Sequence, residues 1–176
     1  MRITRENLHK IARDTAERAA RRSRSLICIY LTGSLLGENP LLGGTTDIDL
    51  VYVHNSEPPL EREITRLSDE VSLDIAHYSQ SAYHPPRKLR VDPWLGAFLV
   101  NNPIVLHDVA HWFEFTQASA GANFSQPETI IDRARQLAGL ARQDWLEMPE
   151  LAAPGSPRQM LTYLKCLKNA ANSLAS

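Results

Sequence analysis

Three aspartates and a glycine-serine pair are the residues of this chain whose types and spacing could do chemistry together. Asp47 and Asp49 stand one residue apart at the mouth of an otherwise apolar run, residues 47–54. Side chains alternate along a strand, so both project from one face, about 6.5–7 Å apart along the backbone. Two like charges that close repel unless a cation lies between them. The run 71–79 offers Asp74 on its polar face, flanked by the small Ser72 and Ala76. Three carboxylates from adjacent strands would make an oxygen-only, anionic pocket. Hard Mg²⁺ favours such a pocket when substrate phosphates complete its octahedron. The thiols and imidazoles that would suit zinc are missing from the group.

Gly33 and Ser34 close the preceding apolar run, with twelve residues between Ser34 and Asp47. A glycine there lets a triphosphate approach the backbone with no Cβ in the way. Backbone N–H groups of the following turn and the Ser34 hydroxyl can then donate to it. One side of the site would hold metals and the other would cradle phosphates. Two metals about 3.5–4 Å apart suit an in-line displacement, activating an acceptor hydroxyl and stabilising a leaving pyrophosphate.

The pattern Gly33-Ser34, Asp47-Ile48-Asp49-Leu50 and then a lone Asp74 resembles the polymerase-β-like nucleotidyltransferase superfamily. The small bacterial members, aminoglycoside-type and minimal nucleotidyltransferases, resemble it most, and the run "NNPIVLHDVAHWFEF" extends the similarity. The resemblance implies a nucleotidyltransferase fold and two Mg²⁺ ions, with Mn²⁺ as the alternative. It implies that Asp47 and Asp49 bind the metals and the nucleotide phosphates. Asp74 would complete the second metal site and help deprotonate the acceptor, and Gly33 and Ser34 would hold the β- and γ-phosphates. The implied reaction moves a nucleoside monophosphate from an NTP to a hydroxyl of a small, aminoglycoside-like molecule or of a protein. Minimal members place a basic residue soon after the Gly-Ser pair, where this chain has Leu35 and Leu36. Compensating charge is then sought in Arg87, Lys88, Arg90 or Lys165, the last on a helix of the kind that closes the cleft in the family. The two leucines favour a rival reading, a non-catalytic, antitoxin-like module of the same fold that binds a nucleotide or a protein partner.

The elements that must position these residues read as α/β (α+β), with a mixed sheet flanked by helices and a helical C-terminal part. Residues 1–108 form the expected catalytic domain and 109–176 the helical region. Residues 4–22 predict an amphipathic helix capped by Thr4, with a stripe of Leu8, Ile11, Ala12, Thr15, Ala16 and Ala19. Strands are expected at 25–33, at 47–54 and at 71–79, where Val71, Leu73 and Ile75 alternate with Ser72, Asp74 and Ala76. Residues 60–70 read as a short helix, and "YHPPRKLR" as a loop because of its two prolines. A short helix at "PWLGAFLVNN", a short strand at "PIVLHD" and helices over 109–118, 127–147 and 157–174 complete the chain. The last has Ser156 as cap and Pro157 at its first position, and Met160, Leu161, Leu164, Leu167, Ala171 and Leu174 as its apolar stripe. "MPELAAPGSP" reads as a linker between the final two helices. The last helix stops without a glycine cap, as a chain continuing past Ser176 would.

Bulk properties narrow the class. The net charge of −1 conceals a segregation: residues 1–24 carry eight basic residues and three acids, and the stretch 25–154 carries eight and seventeen. An acidic middle is a poor scaffold for a long nucleic acid, whose binding needs phosphate neutralisation. No apolar run approaches a membrane span and no signal peptide is visible, so a cytoplasmic protein is expected. An oligomer is left open. Cys28 and Cys166 lie in apolar segments and read as buried thiols. His107 and His111 mimic a zinc-hydrolase spacing, but Asp108 sits where the longer Glu is needed and no third ligand is evident. His77, opposite Asp74 on its strand, reads as a packing residue.

Overall fold

Alternation along two central strands sorts the chain into layers. The computed structural model describes residues 3–37, 40, 44–151 and 155–175, apart from the side chains of 149–151. Helix α1, Arg5–Arg22, starts where the Thr4 side-chain oxygen accepts from the Asn7 N–H at 3.2 Å. It buries Leu8, Ala12 and Ala16. Strand β1, Leu26–Thr32, runs into a 3-10 turn at Gly33–Leu36. Then come β2, Thr46–His54, β3, Arg62–Arg66, and β4, Val71–Ser79. Two 3-10 turns, Gln80–Tyr83 and Pro86–Arg90, lead to α2, Leu95–Val100, and β5, Ile104–Asp108. Helices α3, Trp112–Gly121, α4, Pro127–Leu151, and α5, Pro157–Ala175, follow.

The sheet has the order β3-β4-β2-β1-β5. Strands β2 and β4 are parallel and the other pairings antiparallel, which makes it mixed. One face, with Ile29, Leu31, Ile48, Leu50, Leu73 and Ile75, packs under α1. The other, with Cys28, Tyr30, Val51 and Val53, packs under Leu99 of α2 and Phe113 and Ala120 of α3. The expected α+β class, a mixed sheet with flanking helices followed by helices, is the observed one. No helix among the described residues is long and apolar enough to cross a membrane.

Several elements differ from expectation. Residues 62–66 form strand β3 rather than part of a helix, pairing with β4 so that Ile64 faces Asp74. The turn between them is closed by Leu67 N–H donating to Val71 O at 2.9 Å, with the Ser68 hydroxyl accepting from Glu70 and Val71. The open edge of β4 thus overrides the helix-forming Glu and Arg side chains, and all five β3 residues stay exposed. The expected loop at 86–90 is a 3-10 turn, which Pro86 can begin because that position needs no N–H. Helix α3 starts at Trp112, not 109. Val109 still donates to Ile27 O, and Ala110 and His111 turn through left-handed φ before Asp108 Oδ1 accepts from the Phe113 N–H. Helix α4 continues through residue 151, shortening the linker; residues 152–154 lie outside those described.

The terminal helices pack on each other through Cys166, whose thiol donates to Ala141 O at 3.2 Å. The apolar stripe of α5 is mostly outward: Met160, Leu161, Leu164, Leu167 and Leu174 are exposed. Buried Arg133 ties α4 to the rest, donating to Arg90 O and Phe124 O at 2.7 Å each and stacking on the Phe124 ring.

Candidate functional site

Helices α2 and α3 cover the sheet face at Val51 and Val53 and leave its other end open. Asp47, Asp49 and Asp74 occupy that open end. Parallel pairing sets Asp49 directly beside Asp74, and Asp47 beside Ser72. Adjacent strands lie about 4.8 Å apart, so Asp49 and Asp74 are neighbours on one face. Asp47 is exposed, Asp49 half-buried, and the Asp74 side chain only 13% exposed. A cavity of about 320 Å³ opens here, lined among others by Gly33, Asp49, Arg62, Asp74, Tyr78 and Phe98.

Burial pushes the Asp49 carboxyl up to about 6; the charges of Asp74 and Asp47 add to this, and Arg62 opposes it. Gly33 touches the same carboxylate. Its φ is +78°, and a Cβ placed on it would lie 2.0 Å from Asp49 Oδ2. Glycine is therefore required at this position by Asp49 itself, whatever approaches from outside. Ser34 is exposed in the turn that follows. Leu35 is fully buried and Leu36 packs against the same α1-side core. These leucines anchor the turn.

The basic residue of the cleft is Arg62, which the sequence reading did not single out. Its Nε donates to Asp74 Oδ1 at 2.8 Å, and its Nη2 donates to Asp74 Oδ2. This pairing holds the Arg62 guanidinium more firmly protonated than usual. The four basic residues proposed from the sequence are placed otherwise. Arg87 and Lys88 are exposed in the 3-10 turn, and Arg90 donates to Ser119 O at 3.0 Å. Lys165 lies exposed on α5 and does not line the cavity. Its neighbour Lys168 sits over the Trp94 ring at 4.7 Å. A signal for Arg62 did exist: with 62–66 read as the hairpin partner of β4, alternation puts Arg62, Ile64 and Arg66 on the Asp74 face.

Asp47 and Asp49 offer hard oxygen donors on an open, anionic surface, which fits Mg²⁺ or Mn²⁺. Asp74 is committed to Arg62, and among the described residues no three His, Cys, Asp or Glu side chains stand close enough to hold a metal ion together. Nor do His107 and His111 share a helix, since His107 lies in β5 and His111 precedes α3.

On the opposite face a second polar group spans the sheet. His77 Nε2 lies 2.9 Å from Glu63 Oε1, His54 Nε2 3.0 Å from His77 Nδ1, and Ser25 Oγ 3.0 Å from His54 Nδ1. In the tautomer with the proton on His77 Nε2, that group donates to Glu63, His77 Nδ1 accepts from His54 Nε2–H, and His54 Nδ1 accepts from the Ser25 hydroxyl. Burial, and then His77, lowers the His54 pKa. His77 is thus buried opposite Asp74 as the alternation predicted, although within a hydrogen-bonded chain rather than apolar packing.

No family model matches the chain, and no curated protein matches it in sequence. A solved structure, the crystal structure of a nucleotidyltransferase-like protein from Exiguobacterium sibiricum 255-15, is similar over 95% of this chain with a TM-score of 0.47 and 10% identity. The chain spans 54% of that structure's length, about half. A likeness this distant bears on no functional question, which falls to the residues of the cleft.

Proposed function

We propose that the cleft binds a nucleoside triphosphate with divalent cations and transfers its nucleoside monophosphate to an acceptor hydroxyl, releasing pyrophosphate. The observation that carries this reading is the half-buried Asp49, pushed up to about 6 between two other carboxylates and beside a glycine that leaves it room. Asp47 and Asp49, with Asp74 completing the second site, are the proposed ligands of two Mg²⁺ or Mn²⁺ ions, which when bound would neutralise charge developing on the phosphates and lower the acceptor hydroxyl's pKa. Gly33 and Ser34 form the turn against which the phosphates rest. Asp74, adjacent to Asp49, receives the acceptor's proton once it is released from Arg62. The proposed acceptor is a small, aminoglycoside-like molecule or a protein hydroxyl.

One observation favours a second reading, a nucleotide- or partner-binding module of the same fold that does not transfer. Asp74, the residue that would take the proton, is held through both its oxygens by Arg62. Titrating ATP, GTP, CTP and UTP with Mg²⁺ against wild type and Asp49→Ala, while following pyrophosphate release, separates the two. Transfer requires metal-dependent binding of an NTP and pyrophosphate release that Asp49→Ala abolishes. Binding without release supports the module. Wild type that binds no NTP with metal, or release that survives the substitution, sinks the enzyme.

A further inference from the structure

The strongest feature left over is the Arg62–Asp74 pair. Resting on the reading that the cleft takes a metal–triphosphate, we propose that Arg62 competes with a divalent cation for Asp74 and, once displaced, grips the triphosphate. Both oxygens of Asp74 are engaged by the guanidinium, so a cation that coordinates Asp74 must share its remaining lone pairs with a positive charge a hydrogen bond away, and the two compete for the carboxylate. Of the residues lining the cavity, Arg62 is the basic one, against Asp49 and Asp74.

The pairing geometry gives Arg62 a second place to go. Its register partner on β4 is Ala76, and it reaches diagonally along the strand to Asp74. Ala76 and Tyr78 line the same cavity, so a released Arg62 side chain has room there above the small Ala76. The guanidinium arm is 62% exposed and β3 buries none of its five residues, so moving it disrupts no core packing. Charge drives the exchange. Three carboxylates and one guanidinium leave the cleft anionic, which attracts a divalent cation and repels a bare triphosphate. When cations neutralise the carboxylates, the guanidinium loses its partner and gains a phosphate, for which its planar fork is suited.

The two roles have opposite signs when Arg62 is removed, which a merely structural contact would not produce. The probes are Mn²⁺ alone and inorganic triphosphate in saturating Mn²⁺, both followed by calorimetry, so no base, acceptor or turnover is needed. Arg62→Ala is expected to bind Mn²⁺ about threefold more tightly, because a competing cation is gone. It is expected to bind triphosphate about tenfold more weakly, because a charge-assisted hydrogen bond is lost. Arg62→Lys should restore part of the triphosphate affinity. Arg66→Ala removes the same charge from the same strand, but from a residue paired with Asp69, and should leave both constants within twofold of wild type. Unchanged or weaker Mn²⁺ binding in Arg62→Ala, or unchanged triphosphate binding, overturns the proposal while leaving the metal–nucleotide reading intact. Wild type that binds neither Mn²⁺ nor Mn²⁺–triphosphate overturns both.

Discussion

Replacing Asp49 by asparagine is expected to stabilise the fold while removing cation affinity. The Asp49 carboxyl sits at about 6 instead of its ordinary 3.8, through burial first and then through Asp74 and Asp47. A raised carboxyl pKa means that the folded chain keeps a proton over a range where the unfolded chain has released it. Stability from this group is therefore full at low pH and is lost as the pH rises from about 4 to about 6. Asp49 holds its proton roughly a hundredfold more tightly than usual, which bounds the loss at neutral pH at about 3 kcal/mol. The side chain is only half-buried, and solvent screening brings the expected figure to about 1–2 kcal/mol. Urea unfolding of wild type and Asp49→Asn at pH 8 and pH 4, without divalent cations, measures it. The variant should be more stable by that amount at pH 8, and the gain should shrink to about a fifth at pH 4, where the folded wild type is itself largely protonated. Adding Mg²⁺ at pH 8 should close the gap by stabilising wild type alone. A variant no more stable than wild type at pH 8, or a gain indifferent to pH, refutes the view that burial and like charges set the state of Asp49.

Two further substitutions test other parts of the structure. Gly33→Ala should cost about 2–4 kcal/mol, combining a left-handed φ with displacement of the Asp49 carboxylate. In an Asp49→Ala background the same change should cost only about 1 kcal/mol, as a double-mutant cycle by chemical denaturation would show. His54 is buried with a lowered pKa, so the unfolded chain gains a proton below about pH 6.5 that the folded chain does not take, and stability should fall as the pH drops through that point. His54→Gln should be less stable at pH 8, through lost hydrogen bonds, yet show a flatter decline between pH 7 and pH 5 in the same assay.

The sequence reveals those elements whose own residues carry the pattern. Helix α1 announces itself through Thr4 and a stripe that includes the buried Leu8, Ala12 and Ala16, and β4 through a strict alternation matched residue by residue in its burial. From alternation alone, Asp47, Asp49 and Asp74 could be assigned faces, and the pairing of Asp49 with Asp74 puts those faces together. Strand β3 was illegible because its residues are exposed on both sides and its structure is borrowed from the edge of β4. Missing the strand concealed Arg62. Gly33 was visible as a residue needing an open approach, but the close neighbour that demands it, the Asp49 carboxylate, depends on contact across strands. The outward turn of the α5 stripe was not legible, because apolar periodicity identifies a face without saying which face the neighbouring helix takes.

Strand β3 sends Arg62 to one side of the sheet and Glu63 to the other, each bonded to a residue of β4. It is the edge strand of the sheet, with no strand paired to its outer rim among the described residues, the kind of margin onto which a stray chain could add itself. Ionic side chains on both surfaces, next to a solvent-facing Ile64, make that margin inhospitable to a further strand. Neutralising Arg62 and Glu63 together would therefore leave a stickier molecule, with self-association appearing as a change separate from anything lost in the cleft.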